Sequence, residues 1–178
     1  PGGRHAMRLW VKRIDEKVHP AAGVVTYAIV GRAALMLQPP EAREAAVASI
    51  PDPDRRAARR SVIEHGVKAP EFAGALRHFL DLLDAMEASL PPGGWLSGAA
   101  FGLADAAALP YVLRLEHLAM TPLLAPATRP RVADWLARVK ARPSFASAVT
   151  AWAPAPVLAL FQRQGAEVWT DVAPLTLG

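Results

Sequence analysis

The chain has 178 residues, of which 52% are hydrophobic and 20% charged, with a formal net charge of +4 and no cysteine. This composition predicts one globular domain with a sizeable core, and it excludes disulfides, thiolate metal sites and a cysteine nucleophile. No apolar run reaches the roughly 20 residues of a membrane span, and the first residues lack the apolar core of a signal peptide. We therefore expect a cytoplasmic protein without a membrane partner.

The charged residues do not suggest nucleic-acid binding, metal binding or acid–base catalysis. The basic residues are scattered apart from the cluster Arg55, Arg56, Arg59 and Arg60. No aromatic residue interleaves this cluster, so a solvated helix face is favoured over a nucleic-acid patch. Asp81 and Asp84 are interpreted as a solvated helix edge rather than a catalytic pair. The histidines show no metal-ligand spacing, and no metal site is predicted.

The first part of the chain predicts a long helix. Apolar residues recur at helical spacing from Met7 to Val18, and Pro20 is expected to kink or divide the helix. The following run, Gly23 to Val30, is rich in β-branched residues and has the local propensity of a strand. Because the chain offers no second strand for it to pair with, we interpret it as a buried helix. The prolines at 39 and 40 are expected to end the helix.

Turn and cap residues mark the next helices. A short helix is expected from Glu41 to Ser49, and another from the Asp52 cap to a stop at Gly66. Pro70 opens a longer helix, and the turn at 91–94 (PPGG) follows it. One face of this longer helix is apolar, with Phe72, Leu76, Phe79, Leu83, Met86 and Leu90.

The helix after Gly102 is the most informative element. Gly102 is the expected cap, and Asp105 lies in the first turn, where a carboxylate can accept backbone N–H groups and meets the positive end of the helix dipole. Because its neighbours are apolar, Asp105 is predicted to be buried and hydrogen-bonded, as part of a folding element. Pro110 is expected to bend this helix. Its apolar positions are Leu103, Ala106, Ala107, Val112, Leu113, Leu115 and Leu118.

The remaining chain predicts helices only. An amphipathic helix follows Pro130, a short helix surrounds Phe145, and a last helix runs from about Pro156 to Val172. The amphipathic helix buries Val132, Trp135, Leu136 and Val139. The fold class is therefore all-α, without internal repeats or a dividing linker.

Two stretches resemble one protein family. Residues 95–107 read WLSGAAFGLADAA, with Pro-Tyr shortly after, and residues 130–145 read PRVADWLARVKARPSF. Both resemble motifs of the glutathione S-transferase C-terminal domain, in the family's order and spacing. The family usually has Ser or Thr at the cap, and Gly102 cannot make the reciprocal side-chain bond.

The resemblance implies a helical bundle over residues 1–178, with the thioredoxin-like domain absent from the chain. It implies a substrate-pocket and dimerisation domain of a glutathione S-transferase-like enzyme that acts on a hydrophobic electrophile. Glutathione would be the co-substrate, bound mainly by the absent N-terminal domain, and a homodimer is expected. The chain alone is predicted to lack transferase activity, because no group in it is recognised that lowers the pKa of a glutathione thiol.

The resemblance also suggests which residues line the pocket. The candidates on the first helix are Trp10, Arg13, Ile14, His19 and Tyr27, and those on the motif helix are Leu113 and Glu116. For the apolar candidates, simple core packing is an equal alternative, and His19 could instead bond a backbone carbonyl. The face of Trp10 and Ile14 is expected to be exposed in part as an apolar patch. The stretch 10–20 is similar to the bacterial β-etherase branch.

Two other functions remain open at this point. The same helical domain occurs in non-catalytic interaction modules, and a thioredoxin-like segment encoded upstream would favour the enzyme over such a module. A transcription regulator is disfavoured, because no helix-turn-helix with a basic recognition helix is evident.

Overall fold

The computed structural model describes residues 2–177, and within that range the regular structure is helical. The longer helices are α1 (Gly2–Arg13), α2 (His19–Thr26), α3 (Arg32–Met36), α4 (Pro40–Ala48), α5 (Pro53–His65), α6 (Pro70–Ser89), α7 (Leu103–His117), α8 (Pro130–Lys140), α9 (Pro143–Ala148) and α10 (Ala155–Val172). Short 3₁₀ turns lie at Gly66–Lys68, Thr121–Leu124, Thr150–Trp152 and Ala173–Thr176. No strand occurs between residues 2 and 177, which confirms the all-α prediction.

Helices α1, α2 and α3 run end to end as one helix, Gly3–Met36, called the first helix below. Two π-helical turns, Ile14–Val18 and Tyr27–Gly31, join the three segments. Pro20 therefore does not divide the helix, and that part of the prediction is wrong. The first π turn, which is wider than an α-helical turn, ends just before Pro20. The backbone N–H of His19 donates to the carbonyl of Ile14 there, and the helix continues through the proline.

The first helix is apolar because it forms part of the core. By length and composition alone it could cross a membrane. Its α2 segment packs on α6, and its α1 segment packs on α7. Ile14, Val18 and Val25 are buried in these contacts, and the buried-helix interpretation of the Gly23 to Val30 run is confirmed.

Helix α6 lies at the centre of the bundle. Its predicted apolar face is buried throughout, with Phe72, Leu76, Phe79, Leu83 and Met86 between 0 and 1% exposed. The helix packs against α2 and α8. The helix ends predicted from Asp52, Gly66 and Pro70 also occur, since Asp52 accepts from the Arg55 backbone N–H and Gly66 ends α5 with φ of 60°.

Helix α7 differs in part from its predicted pattern. Leu103 is 60% exposed and Ala106 is exposed, whereas Ala104, Ala108 and Leu109 are buried. The apolar residues surround the helix more widely than a single stripe, so periodicity alone did not distinguish its buried face from its outer face.

The arginine cluster is not a simple solvated face, which corrects the prediction. Arg56 donates to the carbonyls of Ile50 and Pro51 at 2.8 and 2.9 Å. Arg60 pairs with Glu44 at 2.5 Å. The remaining members differ in their surroundings: Arg59 stacks on an aromatic ring, and Arg55 is exposed.

Candidate functional site

The two family-like motifs meet at the buried carboxylate of Asp105. Its Oδ1 accepts from the Leu96 backbone N–H at 3.0 Å and from Trp135 Nε1 at 2.8 Å, and its Oδ2 accepts from the Gly102 backbone N–H at 3.0 Å. Asp105 is 0% exposed. The prediction of a buried, hydrogen-bonded carboxylate is confirmed, and its three donors come from the loop, the cap and α8. This Asp105 junction ties elements together and leaves no open position for a ligand.

An open groove lies on the other side of α7, against the first helix. Three side chains of the first helix, Met7, Val11 and Asp15, follow one another at intervals of four residues and line this groove. Leu103 on α7 faces the first part of this row. The cavity measures about 330 Å³ and has Arg8, Lys12 and Glu16 along its edge. We call it the α1–α7 groove.

A histidine–tyrosine pair connects the first helix to α7. His19 Nδ1 and Tyr111 Oη are 2.9 Å apart, and the two rings meet edge to face with centroids separated by 6.2 Å. Burial raises the pKa of the Tyr111 phenol above its ordinary value, and the nearby Asp15 carboxylate raises it further. Tyr111 therefore remains a neutral hydrogen-bonding group at physiological pH.

Several basic side chains lie near the C-terminal end of α7. The Arg114 guanidinium lies 5.0 Å from the ring centroid of Phe161, and partial burial lowers the pKa of Arg114. The pKa of His117 is lowered mainly by burial, with smaller contributions from Arg114 and Lys140 that Glu116 opposes. Glu116 and Lys140 form an ion pair. This end of α7 is more positively charged than the middle of the α1–α7 groove.

The structure separates the residues that the sequence suggested for a pocket. His19 has Tyr111 on α7 as its hydrogen-bond partner rather than the backbone carbonyl that was the alternative. Tyr27 lies further along the first helix and lines a different cavity. Arg13 is exposed, with its guanidinium 5.5 Å from the Trp10 ring centroid. Glu116 is engaged with Lys140.

The predicted apolar patch at Trp10 and Ile14 is wrong. Trp10 is 9% exposed and Ile14 is 1% exposed, and both belong to the hydrophobic core. Leu113, at 4% exposed, is in the same core. The competing explanation, core packing, describes these three side chains, because the face of α1 that carries them is turned toward the bundle.

Sequence reasoning missed the groove residues Met7, Val11 and Asp15, and it missed Tyr111 as the partner of His19. The signal available for the groove was the four-residue spacing of the first three. Met7 and Val11 have the same helical periodicity as the core, so the spacing did not separate the two faces. The contact between His19 and Tyr111 joins residues 92 positions apart, and local sequence contains no sign of it.

Comparisons with known proteins agree with this architecture. The family model described as "Glutathione S-transferase, C-terminal domain" matches residues 53–138. The crystal structure of β-etherase LigF from Sphingobium sp. strain SYK-6 aligns with a TM-score of 0.67 and 20% sequence identity, covering 82% of this chain and 60% of that one. A comparison with curated protein sequences finds no match.

Fold and motifs together define the class, an all-helical domain whose two motif segments are joined through one buried aspartate. Residues 53–138 are similar to the glutathione S-transferase C-terminal domain, and the all-α structure of residues 2–177 is consistent with the fold of that domain. It spans 60% of the LigF structure that it resembles.

Proposed function

We propose that the α1–α7 groove forms the substrate side of the active site in a glutathione S-transferase-like enzyme acting on a hydrophobic electrophile. One observation carries this proposal: an open cavity with Met7, Val11 and Leu103 on its walls is also lined by Asp15, whose carboxylate acts on the phenol of Tyr111, the partner of His19. Such an arrangement accepts an apolar body and offers polar atoms at one end. The resemblance to the β-etherase structure favours an aryl ether as the substrate class.

Tyr111 and His19 would orient the polar part of the substrate. In the tautomer with the proton on His19 Nδ1, the imidazole donates to Tyr111 Oη and leaves the phenol O–H free. That O–H would donate to an ether or carbonyl oxygen of the substrate. The raised pKa of Tyr111 keeps the phenol protonated, so it would act as a hydrogen-bond donor rather than as a base.

The remaining components of the proposal follow from the family. Glutathione would be the co-substrate and would bind mainly to a thioredoxin-like domain placed N-terminal to the helical domain. Residues 1–178 would then be a single domain of the complete enzyme, which would act as a cytoplasmic homodimer. The half-buried Met7 and the exposed Leu103 would contribute to the wall that the substrate shares with that N-terminal domain.

A binding experiment on the chain itself tests the pocket. Phenoxyacetophenone, a neutral aryl ether ketone, is titrated into the protein while the amide chemical shifts are followed. The expected shifts centre on Met7, Val11, Leu103 and Tyr111. Leu103→Asp should weaken binding by about tenfold, because it places a charge on the apolar wall.

Leu37→Asp is the matched control. Leu37 is 86% exposed and lies outside the groove, so the same substitution there should leave the affinity unchanged. Equal losses in the two variants, or shifts that avoid the groove, would reject the α1–α7 groove as the substrate site.

A further inference from the structure

Another cavity lies between the end of the first helix and the pair α4 and α5. Its volume is about 550 Å³, within the range of roughly 300–1,000 Å³ usual for small-molecule sites. Its walls are mostly apolar, with Leu35, Val47, Ile50 and Ile63 among them. It shares no lining residue with the α1–α7 groove. We call it the Arg59 groove, after the one charged side chain that lines it.

An aromatic platform is built into this groove. The Arg59 guanidinium carbon lies 3.6 Å from the centroid of the Tyr27 ring. The same ring lies against Gly31, where a Cβ atom would come within 2.6 Å of Tyr27 Cδ2. Gly31 therefore makes room for the ring. Tyr27 and Gly31 are the two ends of a π turn, a helix irregularity that frequently occurs at functional sites.

The stacked arginine is available for an anion. Within residues 2–177, Arg59 has no carboxylate partner, whereas its neighbour Arg60 is paired with Glu44. A guanidinium that stacks through its face keeps its N–H groups around the edge, in the plane of the fork. Such a fork matches the two oxygens of a carboxylate. Tyr27 thus holds the one groove cation in a defined orientation.

We propose that the Arg59 groove binds a small organic anion that combines a carboxylate with an aromatic or aliphatic body. The carboxylate pairs with the edge of the Arg59 guanidinium. The apolar body lies along Leu35, Val47 and Ile50 and removes their surfaces from water. Because the groove lining contains no acidic residue, a cationic ligand has no counter-charge there, and a neutral ligand leaves the arginine without an anion.

The test uses phenylbutyrate as the anionic probe, with phenylbutanol as its neutral analogue. Phenylbutyrate should shift the amide signals of Tyr27, Gly31, Leu35 and Arg59 and should bind more tightly than phenylbutanol. Arg59→Gln removes the charge with similar length, and it should weaken phenylbutyrate binding by about tenfold while leaving phenylbutanol unchanged. Arg55→Gln is the matched control, because Arg55 is exposed on the same helix, and it should preserve binding.

A second variant keeps the proposal testable if Arg59→Gln does not fold. Ala34 is an exposed helical position that lines the groove, so Ala34→Phe should fill the cavity, keep the fold and abolish phenylbutyrate binding. The proposal is overturned if phenylbutyrate does not bind, if phenylbutanol binds equally well, or if Arg55→Gln matches Arg59→Gln. It is also overturned if the groove signals move with protein concentration alone, since a second copy of the chain would then be the occupant.

Discussion

The two faces of α7 have different environments although they belong to one helix. The inner face carries Asp105 and the buried residues Ala104, Ala108 and Val112, and its one polar group has donors from three other places in the chain. The outer face carries Leu103, which is exposed and lines a cavity, and Tyr111, which is exposed in part and contacts His19. The motif residues therefore hold the fold together, while the neighbouring positions outside the core are free to contact a ligand.

The largest expected effect is on the inner face. Asp105→Ala leaves the Leu96 and Gly102 backbone N–H groups and Trp135 Nε1 without their acceptor, and we expect a loss of about 3–4 kcal/mol in the free energy of unfolding. Denaturant unfolding measures it. Asp81→Ala, at an exposed position of α6, should change stability by less than about 0.5 kcal/mol. An unchanged midpoint for Asp105→Ala would show that the junction does not stabilise the fold.

A second large effect is expected where α10 meets the end of α7. A Cβ atom on Gly165 would lie 1.9 Å from the carbonyl oxygen of Leu118, so Gly165→Ala must force the two segments apart. We expect a destabilisation of about 2–3 kcal/mol, measured as a shift in the unfolding midpoint. Gly74→Ala is the control: Gly74 is at an exposed position of α6, the new methyl meets no atom within 4 Å, and the substitution should stabilise by about 0.5–1 kcal/mol. Similar effects of the two substitutions would contradict this close contact.

The outer face should respond in binding rather than in stability. Tyr111→Phe removes the hydroxyl that lies 2.9 Å from His19 Nδ1, at a partly exposed site, and should cost less than about 1 kcal/mol of stability. Binding of phenoxyacetophenone should weaken about fivefold, because its oxygen loses a donor. Calorimetric titration checks the affinity, and thermal unfolding checks the stability. If Tyr111→Phe binds phenoxyacetophenone with unchanged affinity, the Tyr111 hydroxyl does not contact the substrate.

The smallest effect concerns pH. Burial lowers the pKa of His117 below its ordinary value of 6.5, so near that pH the unfolded chain binds a proton more readily than the folded chain does. The stability contributed by neutral His117 is therefore present above pH 6.5 and decreases as the pH falls below it. His117→Gln should give a flatter dependence of the unfolding midpoint on pH between about 7 and 5. An identical slope in both proteins would argue against the lowered pKa.

The fold was largely predictable because its signals are local. Asp52, Gly66 and Pro70 mark helix ends through backbone chemistry, and the apolar spacing of α6 follows from helix geometry. Asp105 could be predicted as buried from its first-turn position and its apolar neighbours. Its bond to Trp135, 30 residues away, could not be predicted from the local sequence.

The candidate sites were less predictable, for two physical reasons. The π turn Ile14–Val18 is an irregularity in the first helix. A simple helical period therefore does not predict whether His19 and Tyr27 lie on the same side of the helix as Trp10. Two contacts also join residues that are far apart in the chain: Tyr111 contacts His19, and Arg59 contacts Tyr27. A pattern of residue types does not specify such pairs.

Magnetisation transfer between the bound probe and the protein methyl groups tests the central claim most directly. With phenoxyacetophenone bound, we predict intermolecular nuclear Overhauser effects from its aromatic protons to the methyl groups of Met7, Val11 and Leu103, which line the α1–α7 groove. The inner-face residues Val112 and Leu115, both 0% exposed, should show none. Contacts to methyl groups outside this groove, with none to Met7, Val11 or Leu103, would contradict the assignment of substrate binding to the outer face of α7.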